Sequence, residues 1–410
     1  MLWAGTRDLV PLYAVYALLF RGEGLSDAAI SGLFALWSLV AFVAEVPTGA
    51  IGDVLPRRLV LAAGSLLTAC GFALWVAVPT TAGFAAGFVL WGIGGALQSG
   101  TWESLLYDAL VERRAPHRYA GIVGAGEATG WVATVLSAAA AAPLTTIGGY
   151  ALVGWASAGI AAAHAGLALL LPEPPRTGID PDEAEDGAEA GPVPGQAAAV
   201  PGQGLHPVAP AGTDEGGPIR AYVTALREGL REATRHPPVR RSVLLLAALT
   251  GLLAFDEYLP LVAVGAGAAE ADVPWLMAVT SAVAAVAALL AGRAEGLPAR
   301  WTGVLLATGA VLVAGGALAG SVWGYGAVAL GYAVLSCTLI VADARLQASI
   351  EGPSRSTVTS TAGLGSELVA VLLFAAYAGG SVGLPIGVLL ALNALPLLLL
   401  ARPLGRAEPS

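Results

Sequence analysis

The chain contains no lysine: all twenty of its basic residues are arginine. That alone excludes a phosphate-binding loop of the G-x-x-x-x-G-K-[ST] kind, and with it an ATP-driven pump built on this chain. Charge of either sign is scarce, at 12% of 410 residues, where a soluble domain carries about 25%. The two cysteines, Cys70 and Cys337, allow neither a disulfide framework nor a metal spacing. Each falls in a hydrophobic run and is expected to be a small buried apolar residue. The four histidines form no metal or nucleophile constellation, so nothing here builds a catalytic centre, and no enzyme activity or cofactor is expected. No cleavable leader pattern is seen, and the first hydrophobic segment, after Arg7-Asp8, is expected to stay as an anchor.

What the chain has instead is apolar length. Hydrophobic residues make up 56% of it, with a mean hydropathy of +0.74. Residues 128–172 hold no charged side chain, and neither do residues 301–342. One crossing of the hydrocarbon layer takes about 20 residues, so each stretch suits two crossings and a tight turn. Pro143 and Gly148-Gly149 mark one turn, and Gly320-Ser321 the other. Runs this long mean helices rather than barrel strands, because lipid offers the backbone no hydrogen bonds.

Hydrophobic runs read against turn signals predict helices near 8–22, 29–51, 59–78, 82–110, 119–142 and 146–171. A second six are expected near 241–263, 273–292, 301–319, 322–346, 355–378 and 381–401. The fold class is therefore all-α integral membrane, with twelve transmembrane helices in two six-helix bundles. The division is 1–171, N-terminal bundle; 172–240, cytoplasmic linker; 241–402, C-terminal bundle; 403–410, cytoplasmic tail. The linker is rich in Pro, Gly, Ala and acids, from Asp180 to Glu189, and is expected to be disordered. Its end, near 218–236, places Ile219, Tyr222, Val223, Leu226 and Leu230 at helical spacing among arginines, the pattern of an amphipathic surface helix. With both termini inside, every arginine but Arg21 falls on the cytoplasmic side, as the positive-inside rule requires.

The halves also resemble each other. Asp53-Val54-Leu55-Pro56-Arg57-Arg58 follows the second helix, and Glu295-Gly296-Leu297-Pro298-Ala299-Arg300 follows the eighth. Pro116-His117-Arg118 opens the fifth helix and Pro353-Ser354-Arg355 the eleventh, at a similar offset. A duplicated six-helix unit with a site near mid-membrane is a common transporter plan.

Gly49-Ala50-Ile51-Gly52-Asp53-Val54-Leu55-Pro56-Arg57-Arg58 resembles the loop signature G-x-x-x-D-x-x-G-R-[KR] of the major facilitator superfamily, with Pro56 where a glycine is usual. Glu45-Val46-Pro47-Thr48-Gly49, and the segment from Ser99 to Asp108, look like a bacterial branch of drug and small-molecule efflux permeases. The resemblance implies two bundles that rock about a central site. It gives Gly49, Asp53, Arg57, Arg58, Asp108 and Glu45 to an inner gate, with Asp53 facing the positive end of helix eleven and Arg57 or Arg58 pairing with Asp108. Two departures weaken proton antiport. The arginine expected on helix four is Phe88, and the glycine-rich stretch from Gly126 to Gly130 lacks a proline.

Ionisable residues within the hydrocarbon layer are expensive and mark function or a partner. Glu127 and Glu367 occupy nearly equivalent depths in helices five and eleven, which the resemblance sets face to face across the cavity. A desolvated carboxyl group can exchange protons near neutrality, so both are candidates for proton coupling or for binding a cation. Asp256 and Glu257, near the outer end of helix seven, are an outer gate or an interfacial cap, and Glu103 joins the coupling candidates. Asp8 is expected to pair with Arg7 or line the cavity, and His164 to be a packing residue. Tyr13, Tyr16 and Phe20 share a face of helix one. With Trp37 and Trp131, Tyr13 and Tyr16 suit a bulky, partly apolar compound. Gly92, Gly94, Gly95 and Ala96 are expected to let helices approach closely.

A secondary active transporter accounts for the most of this. Proton-coupled export of a hydrophobic small molecule leads, with proton-coupled nutrient uptake as the alternative. A cavity lined with amides, charges and hydroxyls would favour uptake, and an apolar one with one or two acids, export. A non-transporting sensor or scaffold would want a soluble domain that the linker cannot form. The expected partners are a small-molecule substrate, protons and the lipid bilayer, with no nucleic acid, the chain acting as a monomer. Arginine without lysine, beside 54 glycines, points to a GC-rich bacterial genome and a multi-pass protein of the bacterial inner membrane.

Overall fold

The computed structural model describes residues 2–115, 118–174, 237–294, 298–349 and 355–405. The amphipathic helix expected near 218–236 and the acidic part of the linker lie outside the described residues, as do the side chains of Gly49 and Asp53.

The described chain is helical, with no strand. Helix α1 comes in pieces, Leu2–Thr6, the 3-10 turn Pro11–Ala14, and Tyr16–Gly22. Then follow α2 (Asp27–Val54), α3 (Arg57–Ala77), and α4, broken into Thr81–Gln98 and Thr101–Glu112 at Gly100, whose φ is +60°. Tyr119–Leu169 contains α5 and α6. The second half has α7, in the pieces Pro237–Leu253, Ala254–Tyr258 and Leu259–Gly265, then α8 (Val273–Ala294), α9 (Ala299–Leu318), α10 (Val322–Ser349), α11 (Arg355–Gly380) and α12 (Ile386–Leu404). Ten stretches are long and apolar enough to cross a membrane. The longest holds two crossings and the broken α1 adds another, which makes twelve.

The α5–α6 turn follows from two glycines. Gly148 and Gly149 leave helical geometry, and Gly149 takes a φ of +61°, which only glycine adopts without strain. On either side of it the chain returns to the same place. The Thr129 side chain meets Gly5, and His164 Nε2 bonds the carbonyl of Trp3 at 2.9 Å. The two helices are therefore antiparallel.

Helix ends are set locally. Ser26 caps α2, its Oγ accepting from the Ala29 N–H at 3.2 Å, with Asp27 in the first turn; Thr80 does the same for α4 through Gly83. Proline precedes α3, α9 and α12 and leaves no side-chain cap there. At α3 the Glu173 carboxylate fills the role from beyond α6, accepting the backbone N–H groups of Arg57 (2.7 Å) and Arg58 (3.0 Å). The signature stretch itself is mostly helix: α2 runs to Val54, and only Leu55-Pro56 separates it from α3.

The internal repeat is clearest in glycine. On the α3–α4 hairpin, Gly64 faces Gly94 and Gly71 faces Gly87, each so close that an added Cβ would stand about 2.7 Å from the opposite carbonyl oxygen. On α9–α10, Gly309 faces Gly331 and Gly316 faces Gly324 in the same manner. In both hairpins the contacts recur one heptad apart. This is the small-residue contact that replaces hydrophobic collapse in lipid. Outward faces carry large exposed apolar side chains such as Leu66, Val132, Leu289, Leu372 and Leu399, the surface a bilayer solvates. Cys70 lies on such an exposed face and Cys337 is half-buried, which corrects the expectation of two buried thiols. Hydropathy cannot separate a lipid-facing side from a protein-facing one.

Inside the N-terminal bundle, Tyr16, Phe20, Phe34, Phe72, Trp75, Phe84, Phe88 and Trp91 form one aromatic cluster. Phe88, where the resemblance expects arginine, is fully buried in it, its ring 4.7 Å from that of Trp75. An arginine there would meet only ring faces in this cluster and no carboxylate. The bundles meet where α2 packs on α11 and α5 on α8.

Candidate functional site

A cavity of about 330 Å³ lies between the bundles, a size ordinary for small-molecule sites. Its wall runs from Ala4, Glu103 and Ile122, at inner helix ends, up to Tyr16, Glu257 and Tyr332. The three discontinuous helices, α1, α4 and α7, all contribute their breaks to this wall. Irregular backbone at membrane depth is tolerated where it lines a cavity.

At the inner end sits a cluster around Arg7. Arg7 and Asp8 fall in the gap between Leu2–Thr6 and Pro11–Ala14, with Arg7 Nε 3.8 Å from Asp8 Oδ1. Glu103 from α4 and Glu127 from α5 line the same space and lie within electrostatic range of Arg7 and of each other. One guanidinium thus faces three carboxyl groups.

Higher up, Asp256 and Glu257 occupy the 3-10 piece of α7 and both line the cavity. Both were expected near the outer end of α7, as an outer gate or an interfacial cap; only the short helix Leu259–Gly265 follows them, and in the structure they also form part of the cavity wall. Tyr332 on α10 donates its hydroxyl to Asp256 Oδ2 at 2.9 Å, and Tyr16 on α1 donates to Glu257 Oε2. Asp256 Oδ1 is buried with no side-chain hydrogen-bond partner among the described residues.

Glu367 is a second correction. It does not line the cavity opposite Glu127. It is buried where α11 packs on α2, within electrostatic range of Glu45, which is buried too. Sequence spacing gave its height but not the side of the helix it occupies.

The aromatic wall includes Tyr13, Tyr16, Trp37 and Trp131, but not Phe20. Trp91, which sequence reasoning passed over, is its centre: its ring stacks on Tyr13 at 5.3 Å and on Trp37 at 4.5 Å. Spacing was the available signal, since Trp91 follows Phe88 by three residues on α4. Hydroxyl groups are present, and many already donate their hydrogen bond. Ser65, Thr68, Thr134, Ser137 and Thr280 all donate to carbonyls of their own helices. Gln98 is the single amide in the wall. His164 packs against Trp3, ring centroids 4.7 Å apart, with Ser65 Oγ 3.1 Å from Nδ1, and touches the cavity edge.

Above the cavity the bundles are joined by three tyrosines. Besides the Tyr16–Glu257 bond, Tyr258 donates to Ser31 at 2.8 Å and Tyr150 to Glu270 at 2.9 Å. Each bond crosses from one bundle to the other. On the inner side the Arg57 guanidinium is ion-paired with Asp108 and also reaches the Ser104 carbonyl. This pair lies within one bundle, linking α3 to α4. The Arg58 side chain reaches toward Glu173 at 3.9 Å. The side chain of Asp53, and with it the contact expected with the start of α11, lies outside what the structure describes.

The sequence matches the family model of the Major Facilitator Superfamily over residues 10–388. The chain belongs to that superfamily. Facilitator-fold transporters also stand among its structural neighbours. A bacterial homolog of the human lysosomal transporter Spinster, solved inward-facing and unoccupied, is 16% identical with a TM-score of 0.67, covering 100% of this chain and 96% of its own. An auto-inhibited peptide transporter of the POT family is 15% identical with a TM-score of 0.66, over 99% and 95%. The human organic anion transporter MFSD10 (TETRAN) is 14% identical with a TM-score of 0.61, over 98% and 97%. Identities this low establish the shared fold alone. No curated protein matches the sequence. The chain is therefore a multi-pass facilitator-superfamily membrane transporter of twelve helices.

Proposed function

We propose that this transporter is a secondary active exporter that moves a hydrophobic small molecule in exchange for protons, by alternating access. The observation that carries the reading is the cavity itself. It reaches the inner helix ends, stops beneath three tyrosine bridges, and offers rings and carboxyl groups drawn from both bundles. Many of its hydroxyls already donate to backbone carbonyls or to the cavity's own carboxyl groups, and among the described residues its wall has one amide, so a sugar or other polyhydroxylated nutrient finds few free donors. Glu127, beside Arg7, Asp8 and Glu103, is the proton-exchange group in this reading; Glu367 and Glu45 belong to the α2–α11 seam. Asp53, Arg57, Arg58, Asp108 and Gly49 form the inner gate. The composition supports placing the chain, as a monomer, in a bacterial plasma membrane.

Uptake by proton symport is the second reading, favoured by the number of cavity acids. Direction of proton flow separates the two. In vesicles holding the reconstituted chain, external substrate exchanged for internal protons makes the lumen more alkaline, whereas symport acidifies it. A panel of lipophilic cations, antibiotics and sugars is added while lumenal pH is followed. Alkalinisation in the parent and its loss in Glu127→Gln is the expected result. Substrate movement without any proton flux in the parent would sink the coupling.

A further inference from the structure

We infer that the substrate is an organic cation, a bulky aromatic or apolar body bearing one positive charge, and that Asp256 and Glu257 hold that charge. The inference rests on the transport reading and narrows it to a chemical class. Among the described residues, five carboxyl groups line the cavity, from Asp8, Glu103, Glu127, Asp256 and Glu257, against a single arginine, Arg7. Arg7 is engaged at the inner end by three of the acids. The remaining two are consecutive residues, and none of the described basic side chains acts on either. The titratable groups facing the pair are Tyr13 and Tyr16 from α1, Tyr332 from α10 and Tyr258 on α7 itself, and none of them carries positive charge.

Two adjacent carboxyl groups in a water-poor site need a counter-charge, which protons or a cationic ligand must supply. The hydrogen bonding shows where that charge would sit. Tyrosine hydroxyls occupy Asp256 Oδ2 and Glu257 Oε2, while Asp256 Oδ1 is buried and without a side-chain donor. The neighbouring wall is the stacked group Tyr13, Trp91 and Trp37. Aromatic faces attract a desolvated cation and repel an anion. An anionic substrate would meet carboxyl groups on one side and ring faces on the other.

The same contact links binding to gating. Glu257 is both a cavity carboxyl and the acceptor of an inter-bundle tyrosine bond. A cation that draws the Glu257 carboxylate toward itself competes with Tyr16 and weakens one of the three outer bridges. Protons and the cation compete for the same oxygens, so occupancy by one expels the other.

The test uses the purified full-length chain in detergent, with binding followed by quenching of the cavity tryptophans. Two shape-matched pairs serve as probes: tetraphenylphosphonium against tetraphenylborate, and trimethyl(phenethyl)ammonium against its neutral tert-butyl analogue. The cation of at least one pair is expected to bind and its counterpart not to. Affinity should fall as pH is lowered, since protons occupy the carboxylates, and should drop about tenfold or more in Glu257→Gln and in Asp256→Asn. Both variants keep an amide oxygen able to accept from the tyrosine, Tyr332 for Asp256→Asn and Tyr16 for Glu257→Gln, so each removes the charge and keeps the hydrogen bond. Equal or tighter binding of the anion or neutral probe, unchanged cation affinity in both variants, or no binding of either cation overturns the assignment. Vesicle assays run beside these measurements keep the two claims apart. Cation binding without proton-linked movement would remove the exchange mechanism and leave the cation site. Proton-linked movement of neutral compounds alone would do the reverse.

Discussion

Arg57 carries three contacts within a few ångströms. Its side chain is paired with Asp108 and touches the Ser104 carbonyl, while its backbone N–H is held by Glu173. The pair is largely buried, at 13% and 9% side-chain exposure, so removing one partner strands a charge. Arg57→Ala is expected to destabilise the chain by about 3 kcal/mol, the usual cost of orphaning a buried ion. Thermal unfolding in detergent measures it, and a melting temperature equal to the parent's would contradict the assignment. The charge-swapped double variant Arg57→Asp with Asp108→Arg should recover part of the loss. Single residues were also where sequence reasoning succeeded and failed most visibly. Glu127, Asp256 and Glu257 stood out because an acid in an apolar run has little company. Glu367 stood out for the same reason, yet faces α2 and not the cavity. An acid's height follows from counting residues; its bearing depends on how the helix is rotated in the bundle. Glu173 left no such mark, since its role appears only when the end of α6 meets the start of α3.

The twelve helices were legible because each needs some twenty apolar residues, and that signal is long and redundant. Their interruptions were not. Arg7-Asp8 in α1, Ser99-Gly100 in α4 and residues 254–258 in α7 interrupt their helices over stretches too short to end a hydrophobic run. Two of these breaks supply three of the five acids that line the cavity, Asp8, Asp256 and Glu257. The glycine hairpins lie between the two cases. Gly94 was singled out as a close-contact residue, but its partner Gly64, and the matching pairs on α9–α10, require the fold to be seen. Gly64→Ala and Gly71→Ala should each cost about 1–3 kcal/mol, because the new methyl meets a backbone carbonyl that cannot yield. Gly159→Ala on α6, which has open space at its Cβ, is the control and should be neutral or slightly stabilising. Equal melting temperatures for all three would show that the hairpins tolerate separation.

At the scale of the molecule, the halves are alike in their stiff hairpins and in their broken first helices, whereas the break in α4 has no counterpart in the continuous α10. Each has a glycine-locked third and fourth helix, and each has an interrupted first helix. The locked hairpins move as units, so a change of state falls on the contacts between bundles. Those described above the cavity are the three tyrosine bonds. Loss of one neutral hydrogen bond is worth about 1 kcal/mol, or roughly a fivefold change in a two-state ratio. Tyr258→Phe is accordingly expected to raise the outward-open fraction about fivefold, read from distances between spin labels on the outer ends of α2 and α11. A distribution identical to the parent's would remove Tyr258 from the closure.

These outer bonds also decide what the transporter can ignore. In each, one partner is an uncharged phenol, so there is no pair of opposite charges for dissolved ions to screen. A closure built from ion pairs would loosen as salt is added. This one should hold the same balance of states in dilute and in concentrated salt.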